Sequence, residues 1–516
     1  MDQFVQIMAA QRRPKRADPI EPILFGPWLP DRPDFENQGC KIAKNVLPFG
    51  PTGYTPLPAL SAYSTTPLSA FCQGAIAVGD TSQNTTAYAG DATKLYALVA
   101  KEWEDRTQNS VTHALSEDDN WEFVKYGDYL IALARTEVAQ SITIGASGKF
   151  ADHFTSTLKP KAKHGAKVGR FLMLLNVDEG GTVYPDRVRW SAIDDSQDMD
   201  ANAANLSSNR DLGTDDGEGQ RVFGVDKDAV VFMERSIYTG VFEGSPTVFR
   251  FDRREENRGL LAPGGIQRIG RVFFYVAQDG FFLFDGLQSH PIGATKVNQW
   301  FFDNVDQTRM FGGVSSAIDN ERNLWLLGFP TSAASANTAD RILAYHWPSG
   351  WWSYGEVDHQ LLFNDLSQGL TLDELDTITT DLDALSPSLD SRAWKGGVVQ
   401  VGAFDTSNNN GTLSGSNLAA TIETSRLQLA QGQQSSVSGF IPLADGGTIT
   451  GQVAATLRLN DTESFNTEQS QSTDGKIPAG SGATGRYHKF RMLIAAAGSW
   501  QHAQGVQPIS TTTGGP

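Results

Sequence analysis

The sequence predicts an all-β protein: a β-propeller of short antiparallel hairpin units, with an additional small β-domain near the C-terminus. Three observations predict it. Glycine takes 51 of 516 residues, above the usual share of about 7%, and in a chain this rich in aromatics the surplus implies many tight turns. Short apolar or aromatic runs alternate with turn residues, as where Trp121–Tyr126 and Tyr129–Ala134 flank Gly127-Asp128. Such units recur at roughly 40–60 residues, the spacing of propeller blades, without an intervening linker.

The elements follow in order. Ala75–Gly79 and Ala87–Ala100 read as two or three strands before Trp103. After the pair around Gly127 come Arg170–Val177 and Val183–Ala192, separated by Asp178-Glu179-Gly180-Gly181. Ala229–Met233, Ile237–Phe242 and Thr247–Asp252 form the next group. The clearest hairpin is Val272–Ala277, Gln278-Asp279-Gly280, then Phe281–Phe284. Asn323–Phe329, Ile342–Trp347 and Trp351–Tyr354 precede Gly397–Phe404. That makes about seven units, most with a tryptophan or an aromatic pair to fill the space between facing sheets. A pair of β-sandwiches would also alternate strands and turns, but unbroken repetition favours the propeller.

Four segments are predicted on this basis. Residues 1–66 are a basic arm and a Pro/Gly-rich extended stretch, because proline fixes φ and removes a donor. Residues 67–404 are the propeller and 405–509 the small β-domain, where aromatics thin out and Ser, Thr, Gly and Gln take over. Residues 510–516 are a polar tail. Asn202–Gly219, with almost no apolar content, reads as a surface loop. Within residues 370–385, Leu372, Leu375 and Ile378 fall at helical spacing among acids, which predicts a short acidic amphipathic helix or helix pair inserted between strands.

Composition excludes several functions. The net charge of −17 opposes coating by nucleic acid, since phosphate contacts reward Lys and Arg. No apolar run approaches the ~18 residues of a membrane span. The N-terminal basic residues follow a weakly apolar stretch, the reverse of a secretory signal. Cys40 and Cys72 alone make neither a disulfide framework nor a zinc site, and two free buried thiols are expected.

Enzyme signatures are sparse. Ser116-Glu117-Asp118-Asp119-Asn120-Trp121 is one partial copy of the Asp-box turn found in propeller glycosidases. The eight histidines are scattered, without an i, i+4 pair or a neighbouring cysteine. Asp194, Asp195, Asp198 and Asp200 lack the ligand order, Gly and Glu of a calcium loop. There is no G-x-x-x-x-G-K-[ST] phosphate loop, no G-x-G-x-x-G read after a strand and no G-x-S-x-G elbow. The expectation is a protein without catalytic residues and without cofactor or metal.

Two charged clusters stand out as candidate interfaces. Arg12, Arg13, Lys15 and Arg16 form a basic strap suited to an acidic neighbouring subunit. Asp373, Glu374, Asp376, Asp381 and Asp383 form an acidic surface, for a channel lumen or for docking.

Several stretches together resemble a group of phage and prophage virion proteins. They are Trp28-Leu29-Pro30-Asp31-Arg32-Pro33-Asp34, Ala43-Lys44-Asn45-Val46 and Gly53-Tyr54 with Pro56 and Pro58. Tyr88-Ala89-Gly90 with Thr93-Lys94-Leu95-Tyr96, and Asp186-Arg187-Val188-Arg189-Trp190-Ser191, fit the same group. So do Phe232-Met233-Glu234-Arg235-Ser236-Ile237-Tyr238, Phe281-Phe282-Leu283-Phe284-Asp285-Gly286 and Gly482-Ala483-Thr484-Gly485-Arg486-Tyr487-His488. More distantly, the chain is similar to the tail-hub, stabilisation or nozzle proteins of short-tailed bacteriophages. The resemblance implies a propeller-containing homo-oligomeric ring, typically six copies, below a head-to-tail adaptor protein. Such a ring continues the DNA channel, helps retain the genome and supports tail fibres or spikes. It implies a virion location, assembly in the host cytoplasm, DNA passage without specific binding, and no membrane insertion. The competing reading is a propeller-type carbohydrate-binding or glycan-cleaving virion protein.

Overall fold

Blades form here because each hairpin unit has strands that neighbouring units can cover on both faces. In Phe171–Glu179 the stretch from Phe171 to Val177 is buried throughout, and Leu324–Phe329 is buried along its whole length. The outermost strands can be polar: Glu102–Asp105 buries only Trp103, and Val248–Glu256 turns its charged residues outward. The computed structural model describes residues 21–34, 37–367, 369 and 396–514. These fall into two compact units, one drawn from residues 47–50 and 57–417 and a second from 21–46, 51–56 and 418–514.

The described residues of the larger unit form seven four-stranded antiparallel blades. Blade 1 comprises Gly74–Gly79, Thr85–Gly90, Leu95–Val99 and Glu102–Asp105. Blade 2 runs through Glu122–Tyr126, Tyr129–Ala134, Glu137–Thr143 and Ala151–Asp152. Blade 3 is Lys161–Val168, Phe171–Glu179, Thr182–Trp190 and Ser208–Asp211, joined to blade 2 by the single bridge Val138–Lys161. Blade 4 is Gly219–Val225, Asp228–Met233, Ser236–Gly244 and Val248–Glu256. Blade 5 is Ile266–Ile269, Val272–Ala277, Gly280–Phe284 and Ser289–Pro291. Ser315–Asp319, Leu324–Phe329, Ala339–His346 and Trp351–His359 make blade 6. Blades 1, 4, 5 and 7 are separate four-stranded sheets.

Blade 7 shows how the ring closes. Leu361–Leu366, Val399–Phe404 and Asn410–Thr412 supply three strands, and Ser61–Ala62 from far upstream supplies the outermost one. The first strands of the blades follow one another around an axis. Blade 1 packs on 2, 2 on 3, 3 on 4, 5 on 6, 6 on 7 and 7 back on 1. Blades 4 and 5 meet through Arg268, which donates to the Gly224 carbonyl, and through Phe223 and Phe273, 5.2 Å apart.

Aromatic rings fill the spaces between blades. Phe232, Phe273, Tyr275 and Phe284 cluster between blades 4 and 5. Trp190 meets Phe249 edge-on at 5.2 Å, and Phe281 meets Trp352 at 4.9 Å. Each ring so buried contributes roughly 1.5–3 kcal/mol. The helix Asn298–Asn304 follows blade 5 and seats Phe301 against Phe281 and Phe329.

The smaller unit is two antiparallel sheets face to face. One sheet carries Ile23–Leu24, Tyr54–Pro56, Gln434–Ala444, Ile477–Gly485 and Ala503–Gly514. The other carries Cys40–Lys44, Ala420–Thr424, Ile449–Thr456, Gln469–Ser470 and Tyr487–Ile494. Phe440 of the first meets Phe490 of the second edge-on at 5.6 Å.

Three segments differ from their sequence reading. Ser208–Asp211, inside the expected loop Asn202–Gly219, pairs with Arg187–Trp190 as the outer strand of blade 3; an outer strand has no need of apolar side chains. Residues 405–417 lie with the propeller unit, because Asn410–Thr412 is a blade 7 strand. Ser510 to Gly514 continue a strand against Gln434–Val437 rather than trailing off. The cysteines are both free and buried, and burial pushes the Cys40 thiol up to about 12.

Candidate functional site

The first strands of all seven blades line an axial cavity of about 280 Å³. Propellers place their edge-on first strands around the axis, so this is where side chains from distant parts of the chain converge. Three ionisable residues from three blades meet here. Glu122 opens the first strand of blade 2, His164 lies in that of blade 3 and Arg221 in that of blade 4. The Arg221 guanidinium donates to Glu122 at 2.7 Å, and His164 Nδ1 lies 3.0 Å from the same carboxylate oxygen. Glu122 and His164 are both buried.

This geometry fixes the imidazole. A carboxylate only accepts, so Nδ1 carries the proton and donates, and Nε2 is left as an acceptor. That Nε2 is buried and has no hydrogen-bond partner. Burial holds His164 down to about 4, against the opposing pull of Glu122. The ring is therefore neutral at physiological pH.

Gln73, which precedes the first strand of blade 1, carries a second orphan. Its Nε2 donates to the carbonyls of Ser116 at 2.5 Å and Asp119 at 2.7 Å, while its buried Oε1 has no partner. Lys163 also lines the cavity. Burial pulls its pKa below the usual lysine range, with Glu218 opposing and Arg135 adding to the shift. It makes no ion pair among the described residues.

An amide pair marks one end. Asn364 Nδ2 donates to Gln267 Oε1 at 3.0 Å, Gln267 Nε2 donates to the Ser316 carbonyl at 2.6 Å, and Asn364 Oδ1 accepts from the Ile318 amide at 2.8 Å. Asn364 faces both the axial cavity and a second space of about 340 Å³, lined also by Arg268 and Asp365. Burial raises Asp365 to about 6, with the donors Gln400 and Leu366 N opposing. At the other end, Asp118 is exposed and shared with a neighbouring depression.

The nine interface residues expected from sequence lie outside the described residues: Arg12, Arg13, Lys15, Arg16, Asp373, Glu374, Asp376, Asp381 and Asp383. The aspartates between the third and outer strands of blade 3 serve local structure. Asp198 accepts from the Asp200 amide and from Asn205, and Asp200 accepts from the Thr157 and Leu158 amides. Among the described residues no group of three or more His, Cys, Asp or Glu is placed to hold a metal ion. No described helix is long and apolar enough to cross a membrane.

The axial residues escaped the sequence reading because each comes from a different blade, with no local motif. The signal that could have found them is positional: Gln73 immediately precedes a blade's first strand, and Glu122, His164 and Arg221 sit in the first half of one. That register becomes visible only once the blades are superposed. Comparison of the chain with known protein-family models and with curated proteins gives no match.

Proposed function

We propose that this chain is a structural component of a bacteriophage tail, forming an oligomeric hub or nozzle ring below the head-to-tail adaptor. There it continues the DNA channel, helps retain the genome and supports tail fibres or spikes. Two things support this reading: the resemblance spread over most of the chain, and the way each unit is closed. The observation that carries it is the closure. Ser61–Ala62 completes blade 7, and residues 21–56 contribute strands to the sheets built from 418–514. A wall that bears load gains from having early and late segments locked into the same sheets, so that neither peels off alone.

The axial cavity of one propeller, at about 280 Å³, is far too small for a DNA duplex. In this reading DNA runs between copies, through the hole of the ring, and the net charge of −17 keeps it from sticking. Neither catalytic residues nor a cofactor are assigned, the location is the virion tail after assembly in the host cytoplasm, and no membrane insertion is expected.

A second reading, a glycan-binding or glycan-cleaving virion protein, is favoured by the axial cavity, which Lys163 and Arg221 line among residues from every blade. Mass photometry and electron microscopy of the purified protein with its adaptor, beside a glycan-cleavage screen, separate the two. The hub reading expects a closed ring of fixed copy number, six, on the adaptor. A monomer that cleaves polysaccharide and ignores the adaptor would overturn it.

A further inference from the structure

One amine in the axial cavity is placed unlike the wall around it. The orphan acceptors of His164 and Gln73 are sealed from any solute, so they set no demand on a ligand. Lys163 differs. Its side chain is partly buried and lines the cavity, and its Nζ makes no hydrogen bond or ion pair among the described residues. Nor is that Nζ one of the sealed atoms, so a solute entering the cavity can reach it. The carboxylates nearby are engaged elsewhere. Glu122 accepts from Arg221 and His164, Asp119 accepts from the Ser116 hydroxyl, and Glu218 accepts from Asn176 with Arg135 3.9 Å away.

An ammonium drawn partly out of water without a partner is pushed to lose its proton, and a neutral amine is a nucleophile. Burial pulls Lys163 below the usual lysine range; Glu218 and Asp119 oppose this without winning, and Arg135 adds to it. The same surroundings make the cavity a poor anion trap. Glu122 cancels Arg221 at 2.7 Å, His164 is neutral, and exposed Asp118 stands at the mouth. A neutral electrophile is therefore preferred to an anionic one. Ile76, Phe123 and Phe223, each partly exposed at the wall, give an apolar lining that disfavours the water that would hydrolyse an imine. The volume of about 280 Å³ lies at the lower edge of small-molecule sites, about 300–1,000 Å³, so the carbonyl compound is small.

We propose that Lys163 is a covalent capture site, its ε-amine condensing with a small neutral aldehyde in the axial cavity to give an imine. The nitrogen lone pair attacks the carbonyl carbon, and the C–N bond forms as the C=O π pair moves onto oxygen. The resulting carbinolamine then loses its C–O bond. The oxygen leaves as water with both amine hydrogens, and nitrogen supplies the second pair of the C=N bond. No electrons are gained or lost, so the step needs neither oxidant nor reductant, and water reverses it. The assignment goes beyond both readings of the chain's role and rests on neither.

The test maps reductive amination of the full chain by peptide mass spectrometry. Glycolaldehyde is the neutral probe, glyoxylate the anionic one, and cyanoborohydride traps the imines. At neutral pH, glycolaldehyde should label Lys163 at least about tenfold faster than any other lysine. The α-amino group, with an ordinary pKa of about 8, serves as internal reference. Unfolding in guanidinium should erase the preference for Lys163, and glyoxylate should show a smaller one. Ile76→Trp, which fills the cavity from blade 1, should bring Lys163 down to the rate of the other lysines, its folding checked by its melting transition. Should that variant fold poorly, the comparison of folded and unfolded wild-type chain still decides. Labelling of Lys163 no faster than other lysines, a preference that survives unfolding, or undiminished labelling in folded Ile76→Trp would each overturn the site. A stronger preference with glyoxylate would overturn the proposal in favour of an anion site.

Discussion

The smaller unit hides an ion network whose weakest point is one lysine. Lys489, 4% exposed, lies 2.9 Å from Glu463, 3.1 Å from Asp34 and 3.5 Å from Glu423. Arg426 shares Glu463 and Asp34, and Arg491 holds Glu423 at 2.7 Å. Burial pulls the Lys489 pKa down, but the three carboxylates win and raise it. Removing one partner of a buried set leaves charge unpaired. Lys489→Met should therefore destabilise by about 3 kcal/mol in denaturant unfolding, and adding Glu463→Gln should restore part of that loss. Titration gives a second test. Burial holds His153 and His164 down to about 4, against about 6.5 unfolded. The unfolded chain takes up these protons first as pH falls, so their stability contribution is full above about 6.5 and is lost toward 4, by about 3 kcal/mol each. Denaturation at neutral and acid pH should show that slope, and His153→Phe should flatten it. Asp365 has the opposite sign. Its raised pKa of about 6 means stability is lost as pH rises through that value, so Asp365→Asn should raise the melting temperature at neutral pH relative to acid pH.

At the scale of elements, the latch of blade 7 decides closure. Gly411 pairs with Ala62, and a Cβ there would lie 2.3 Å from the Ser61 carbonyl oxygen. Asn410 reinforces the joint, accepting from the Tyr63 and Ser64 amides while its own amide donates to Ser64 Oγ. Gly411→Val should release residues 57–66 to limited proteolysis and lower the melting temperature, while Gly148→Ala, at an exposed glycine with open space around it, should do neither. The hairpins around Gly127 and Gly280 were legible in sequence because their turns and aromatic runs are local. The latch was not: Ser61–Ala62 has no apolar pattern, and its partner lies hundreds of residues downstream. The outer strand Ser208–Asp211 was hidden for the related reason that it is held by backbone pairing and by the ion pair of Asp211 with Arg187, without apolar side chains. The axial site was hidden most fully, since Gln73, Glu122, His164 and Arg221 become neighbours only when the blades close into a ring.

For the whole molecule, charge and cavity size lead to one expectation about DNA. With a net charge of −17 and an axial cavity of about 280 Å³, the isolated chain should not retard duplex DNA at physiological salt. Mobility-shift assays should stay blank from low to moderate ionic strength. A shift that weakens steeply with salt would reveal a phosphate-binding surface and contradict passage without sticking.

The latch also sets a clock. Asn410 and Ser64 are 346 positions apart, and a ribosome adding about 5–20 residues per second needs roughly 20–70 seconds to travel between them. For that time the growing arc has its first blade made and its closing partner unmade. Long-range pairing of this kind slows folding, and unpaired strand edges invite association with other chains. Conditions that slow translation or crowd nascent chains should therefore reduce the yield of soluble protein.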